Sequence, residues 1–112
     1  MCIRDSHNIL LQLMSTIEDR KIHPNERSYT TKLMTGGLAA IGAKIVEEAA
    51  ELVEAAGESG ETGREHIIYE AADLIYHMFV LLSYRDVQLS DVEQELARRF
   101  GMSGLDEKAS RQ

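Results

Sequence analysis

The sequence is poor in the residues that mark disulfide-rich, sheet-rich and nucleic-acid-binding proteins. Its single cysteine, Cys2, cannot form an internal disulfide or a thiolate zinc cluster within one chain and indicates a reducing compartment. It has one proline and no tryptophan, and no stretch of useful length alternates polar with apolar residues. A formal net charge of -7 repels a nucleic-acid backbone. We therefore expect packed helices and no nucleic-acid partner.

Long hydrophobic runs are also missing. The longest, residues 74–82, has nine residues and includes Tyr76 and His77, which is too short to cross a bilayer. The first residues lack the apolar stretch of a signal peptide, so we expect a cytoplasmic protein with no membrane partner. A chain of 112 residues fits one domain with a modest core, which domains of this size often complete by forming a homodimer.

Apolar spacing and helix breakers predict four helices. The first covers about residues 7–20, and residues 26–35 are expected to form a loop that leads into the second helix, residues 38–56. The third covers about residues 64–85. The fourth opens with a capping box from Ser90 to Glu93 and ends at Gly101. The predicted fold is all-α, a four-helix bundle-like domain built on an antiparallel helix pair.

The third predicted helix carries acidic groups on an otherwise apolar surface. It is apolar nearly all round, which predicts burial, and Glu70, Asp73 and His77 share one narrow stripe at spacings of three and four residues. Buried carboxylates cost free energy unless they are paired or bind a metal. The stripe therefore predicts either a metal site or buried ion pairs, for instance with Lys44, Arg64 or His77.

The second predicted helix supplies a complementary pair of carboxylates. Glu48 and Glu51 lie on one flank of its apolar stripe. In an antiparallel pair they face Glu70 and Asp73, and four carboxylates around one point suit Mg²⁺ or Mn²⁺ better than zinc. Taken alone, Glu47 and its acidic neighbours would form an ordinary solvated face. The two E-x-x-[DE] elements together favour the metal site.

These elements resemble a known superfamily. The pattern Glu48-x-x-Glu51 followed by Glu70-x-x-Asp73 is similar to that of the all-α nucleoside triphosphate pyrophosphatases. Four stretches look like one branch of it, the phosphoribosyl-ATP pyrophosphatases: residues 28–30, 44–51, 70–77 and 103–111. The similarity covers residues 7–112, which we expect to form the domain. Residues 1–6 do not look like the family and are expected to be an unmatched N-terminal extension.

The resemblance implies a reaction and a set of catalytic groups. Phosphoribosyl-ATP would be hydrolysed to phosphoribosyl-AMP and pyrophosphate, a step of histidine biosynthesis. Mg²⁺, or Mn²⁺ in its place, would be the cofactor, with Glu48, Glu51, Glu70 and Asp73 as ligands. The candidate catalytic residues are Glu48 and Glu47, the latter as a general base or as a group that supports the ligands.

The resemblance also implies contacts with the nucleotide substrate. The candidate substrate-binding residues are Ser28, Tyr29, Thr30, Lys32, Lys44, Lys108 and Arg111. Each has a plainer interpretation: the hydroxyl residues as helix caps, Lys44 as a partner of Glu48 one turn away, and Lys108 with Arg111 as part of a disordered end. His77 is expected to be a buried, hydrogen-bonded histidine and is not counted among the metal ligands.

Two other functions fit the same motifs. One is a house-cleaning pyrophosphatase that acts on non-standard or excess nucleoside triphosphates. The other is a non-catalytic helical module that binds a divalent metal or a partner protein. Substrate selectivity separates the first from the histidine-pathway enzyme, and metal binding without pyrophosphate release would identify the second.

Overall fold

The computed structural model describes residues 3–101, with side chains described from residue 9 onward. It contains four helices: α1 (Ile3–Ile22), α2 (Tyr29–Ala56), α3 (Gly60–Tyr84) and α4 (Leu89–Phe100). No strand is present between residues 3 and 101. The all-α prediction is therefore confirmed.

The centre of the fold is the antiparallel pair of α2 and α3, joined by the short turn of residues 57–59. Glu51 lies opposite Glu70 near this turn, and Gly37 lies opposite Tyr84 at the far end, as antiparallel packing requires. Helix α1 packs against both helices. The apolar core that these three helices share consists of Met14, Ile17, Leu33, Ile41, Phe79 and Val80.

The start of α2 differs from the sequence-based prediction. Residues 29–35 were expected to be in a loop, but they form the first turns of the helix. Ser28 caps this helix because its side chain accepts a hydrogen bond from the amide of Thr31 at 3.2 Å. Hydroxyl residues followed by two glycines resemble a loop in sequence. Here the hydroxyl of Ser28 begins the helix, and Gly37 bends it.

The bend at Gly37 redirects the first two turns of α2. Gly37 has φ 69° and ψ −158°, a conformation that favours glycine. A Cβ at this position would also lie only 3.1 Å from the hydroxyl of Tyr84, which leaves little room for a larger residue. A straight helix would carry Tyr29 about 12 Å beyond Tyr84. Instead the hydroxyl of Tyr29 lies 3.0 Å from Nε2 of His77, about two turns back along α3. The bend therefore brings the N-terminal end of α2 towards the acidic residues.

The other helices lie where the sequence predicted them, but the residues at which they begin differ. Helices α1 and α3 each begin four residues earlier than predicted. Gly101 caps the end of helix α4, as predicted. The capping box at its start is formed by Gln88 and Asp91, so the predicted one from Ser90 to Glu93 is wrong. The amide of Gln88 donates to Oδ2 of Asp91 at 3.0 Å. The earlier start places Leu89 against the core.

Helix α3 is less buried within one chain than its composition predicts. Ile68 is 53% exposed and Tyr69 is 65% exposed, so the expectation of burial all round is wrong for the single chain. By length and composition α3 could also cross a membrane, which is weak evidence because core helices of globular proteins pass the same test. Its buried residues include Glu70 and His77, which belong to the acidic site beside α2.

Candidate active site

Three carboxylates from α2 and α3 converge near the α2–α3 turn. Glu48, Glu51 and Glu70 each offer an oxygen atom, and these atoms all lie within 4.8 Å of one another. Glu48 and Glu70 are each only 5% exposed, and Glu51 is half-buried. Oε1 of Glu70 is buried and has no hydrogen-bond partner within the described residues. A buried, unsatisfied carboxylate oxygen beside two further carboxylates suits a hard divalent cation.

The electrostatics of this cluster favour a cation. Burial, followed by the nearby Glu70, Asp73 and Glu51, raises the pKa of Glu48 from 4.5 to about 7. Burial and the charge of Glu70 also raise the pKa of Glu51. The carboxylates are therefore costly to ionise together near neutral pH. A divalent ion among them would reverse this effect by stabilising the ionised forms.

Asp73 lies beside the cluster and is partly exposed. Its charge contributes to the raised pKa of Glu48, which places it near that residue. However, the three oxygens within 4.8 Å of one another come from the other carboxylates. The structure thus brings three of the four predicted ligands into one group, and the role of Asp73 as a ligand stays a prediction.

His77 is buried and both of its ring nitrogens are engaged. Nδ1 lies 2.9 Å from the carbonyl oxygen of Asp73 and donates to it, and Nε2 forms a hydrogen bond with the hydroxyl of Tyr29 at 3.0 Å. Nδ1 also lies 3.6 Å from Oε1 of Glu48. With both nitrogens occupied by protein atoms, His77 positions Tyr29 beside the acidic cluster.

The hydroxyl residues at the start of α2 form an ordered group. Tyr29 stacks on Tyr76 with ring centroids 6.1 Å apart, and the hydroxyl of buried Thr30 hydrogen-bonds to that of Tyr76. Ser28 caps the helix, as its plainer interpretation predicted. Lys32 is exposed on the first turn of α2. Contacts of these residues with a substrate remain predictions.

Lys44 and Glu47 lie on the same helix as the acidic cluster. Nζ of Lys44 is 3.7 Å from Oε1 of Glu47, and both side chains are partly exposed. The pKa of Lys44 is raised by the nearby Tyr29 and then by Glu47. One interpretation of the sequence paired Lys44 with Glu48, but in the structure its ion pair is with Glu47. Its contact with a phosphate and the role of Glu47 as a base stay predictions.

The sequence-based reasoning missed His66 and Glu58. Nε2 of His66 lies 3.2 Å from Oε2 of Glu70, and Nδ1 lies 3.0 Å from Oε2 of Glu58. The spacing of four residues between His66 and Glu70 on one helix was a signal for the first contact. Glu58 lies in the α2–α3 turn, and no periodic pattern indicates where such a side chain points. Arg64, considered as a partner for Glu70, instead pairs with Glu61 at 3.7 Å.

Two of the predicted substrate-binding residues belong to the C-terminal segment. Lys108 and Arg111, with the rest of the matching stretch at residues 103–111, lie outside the described residues. Their contact with an anionic substrate stays a prediction.

Comparison with known proteins gives a consistent result. A family model described as phosphoribosyl-ATP pyrophosphohydrolase matches residues 10–100. Relatives named phosphoribosyl-ATP pyrophosphatase include one from Rhodopirellula baltica, 60% identical over 89% of this chain and 83% of the relative. Others are from Geotalea daltonii, 49% identical over 93% of this chain and 95% of the relative, and from Dechloromonas aromatica, 45% identical over 95% of each.

Proposed function

Because this chain belongs to the phosphoribosyl-ATP pyrophosphohydrolase family, we propose that it hydrolyses phosphoribosyl-ATP to phosphoribosyl-AMP and pyrophosphate in histidine biosynthesis. The observation that carries the proposal beyond family membership is the carboxylate cluster of Glu48, Glu51 and Glu70, with the unsatisfied Oε1 of Glu70. An acidic protein that acts on a polyanionic nucleotide needs a cation between its carboxylates and the phosphates. The cluster provides the ligands for one.

The proposed cofactor is Mg²⁺, with Mn²⁺ as an alternative of the same coordination chemistry. Glu48, Glu51 and Glu70 would hold it, with Asp73 as a fourth ligand from the edge of the cluster. When bound, the cation would neutralise negative charge on the phosphates and on the leaving pyrophosphate.

The remaining roles belong to side chains around the cluster. Glu47 would accept a proton from the attacking water, and it is exposed enough to exchange that proton with solvent. Lys44 and Lys32 would contact phosphate oxygens as cations. Tyr29, fixed by His77, and the neighbouring hydroxyls would contact the nucleotide from the first turn of α2. In the same proposal Lys108 and Arg111 bind the anionic substrate from the C-terminal segment.

The test is pyrophosphate release from phosphoribosyl-ATP beside a panel of nucleoside triphosphates, with Mg²⁺ and with a chelator. We expect release from phosphoribosyl-ATP that is far faster than from the panel and that stops with the chelator. Release mainly from the other triphosphates would identify a house-cleaning pyrophosphatase. Absence of release from every substrate would contradict the proposed activity.

We further propose that the protein is a cytoplasmic homodimer. Several large apolar side chains of α2 and α3 are exposed in the single chain, among them Val46 and Val53 at 72% each. A second copy that covers them would complete a core that is small within one chain. Light scattering on the purified protein should give twice the chain mass, and the mass of a single chain at micromolar concentration would contradict this part of the proposal.

A further inference from the structure

We infer that His66 is a positioning residue that holds one oxygen of Glu70 so that the other faces the cation site. The inference rests on the proposed function, because it gives a reason for the orientation of one proposed ligand. Nε2 of His66 lies 3.2 Å from Oε2 of Glu70, while Oε1 of the same carboxylate is buried without a partner in the described part of the chain. The two oxygens of Glu70 are therefore in different environments.

The ring of His66 lies between two carboxylates. Each nitrogen has a carboxylate oxygen as its neighbour, Oε2 of Glu58 at 3.0 Å and Oε2 of Glu70 at 3.2 Å. An ionised carboxylate only accepts hydrogen bonds, so a ring N–H is the donor in these contacts, and the imidazole links Glu58 to Glu70.

The turn between α2 and α3 holds Glu58 in place. The amide of Glu58 donates to the carbonyl oxygen of Ala55 at 3.0 Å. On the other side, a Cβ added to Gly63 would lie 2.6 Å from the carbonyl oxygen of Glu58, so the turn packs closely on the first turn of α3. Glu58 therefore reaches His66 from backbone fixed at both sides, which restrains the imidazole ring and through it the carboxylate of Glu70.

A second histidine–carboxylate pair in the chain provides a matched comparison. Nδ1 of His23 lies 3.2 Å from Oδ1 of Asp19, also at a spacing of four residues, but both side chains are more than half exposed. The side chain of Glu70 is only 7% exposed. A hydrogen bond to a buried carboxylate orients it far more strongly than one in water, and partners of this kind typically change metal affinity by about 10- to 100-fold.

The experiment compares His66→Ala, His66→Gln and Glu58→Gln with the control His23→Ala. Mn²⁺ binding is measured by calorimetry, and pyrophosphate release is measured as a function of Mg²⁺ concentration.

We expect His66→Ala to weaken Mn²⁺ binding by about 10-fold or more. The Mg²⁺ concentration for half-maximal rate should rise similarly, with most of the rate recovered at saturating Mg²⁺. The amide NH₂ group of glutamine can still donate to Glu70, so His66→Gln should restore much of the affinity. Glu58→Gln should have an intermediate effect, and His23→Ala should have none.

The outcomes separate the inference from the proposed function. If His66→Ala binds Mn²⁺ within about twofold of the unmodified protein, or loses only thermal stability, His66 is structural and the inference fails. If the unmodified protein releases no pyrophosphate but its Mn²⁺ affinity still depends on His66, the proposed function fails and the inference stands. If the unmodified protein does not bind Mn²⁺ at all, both are overturned.

Discussion

Replacing Glu48 by glutamine is expected to lower pyrophosphate release by about 10³-fold or more while making the metal-free protein more stable. The loss of activity follows from removing a buried carboxylate from the proposed cation site, an interaction that contributes several kcal/mol to the transition state. The gain in stability follows from the cost of burying the same charge without a cation. A variant that gains stability as it loses activity is characteristic of a functional site.

The pH dependence of this gain has a definite direction. The pKa of Glu48 is raised from 4.5 to about 7 in the folded protein, so the folded state binds more protons than the unfolded state between these values. The contribution of Glu48 to stability therefore becomes less favourable as pH rises from 4.5 to 7. Above pH 7 the full free-energy cost of burying the ionised Glu48 carboxylate is present, and it lowers the stability of the metal-free protein by an amount on the order of 1–3 kcal/mol. Glu48→Gln should remove it.

Urea unfolding in chelator measures this prediction at pH 8 and at pH 4.5. Glu48→Gln should exceed the unmodified protein in unfolding free energy at pH 8, and the difference should shrink towards zero at pH 4.5. Glu54→Gln, an exposed change of the same kind on α2, is the control and should alter neither activity nor stability appreciably. Full activity in Glu48→Gln, or a loss of stability at pH 8, would contradict the account of this residue.

Replacing Asp73 by asparagine should reduce turnover by about 10²-fold or more and leave the helical fold intact. The change removes a negative charge beside Glu48 and weakens a proposed ligand. It leaves the backbone carbonyl that accepts from Nδ1 of His77, so the hydrogen bond between Tyr29 and His77 is preserved. The expected loss therefore reports on the carboxylate alone.

Pyrophosphate release and circular dichroism together measure the effect of Asp73→Asn. Glu65→Gln removes an exposed charge from the same helix and serves as the control. Unchanged turnover in Asp73→Asn would remove this residue from the site, and the three carboxylates within 4.8 Å of one another would then be the whole ligand set. Loss of helical signal would mean that its role is structural.

Much of the site could be predicted from the sequence because helical spacing is regular. Glu70 and His77 share one face of a helix, and a short connection makes the neighbouring helix antiparallel, so Glu48 and Glu51 fall opposite them. Burial of Glu70 followed from the apolar residues around it, whereas Glu48, taken alone, was expected on a solvated face and is buried only through the packing of the two helices. These conclusions depend only on periodicity and on the direction of the chain.

Features that depend on tertiary contacts were not predictable in the same way. The helical start of α2 depends on the cap at Ser28 and on the bend at Gly37, which fits against Tyr84. The contact of Glu58 with His66 depends on the path of a turn. Helix α3 is also more exposed in the single chain than its apolar composition predicted. Composition predicts burial but does not distinguish burial within a chain from burial between copies.

The most direct test of the central claim is anomalous X-ray diffraction from crystals of the protein grown with Mn²⁺. The account predicts an anomalous peak between the side chains of Glu48, Glu51 and Glu70, within about 2.0–2.3 Å of at least one oxygen of each. Oε1 of Glu70 should face the ion while Oε2 keeps its contact with His66. Crystals that bind Mn²⁺ elsewhere, or show no peak at this cluster at millimolar Mn²⁺, would contradict the account.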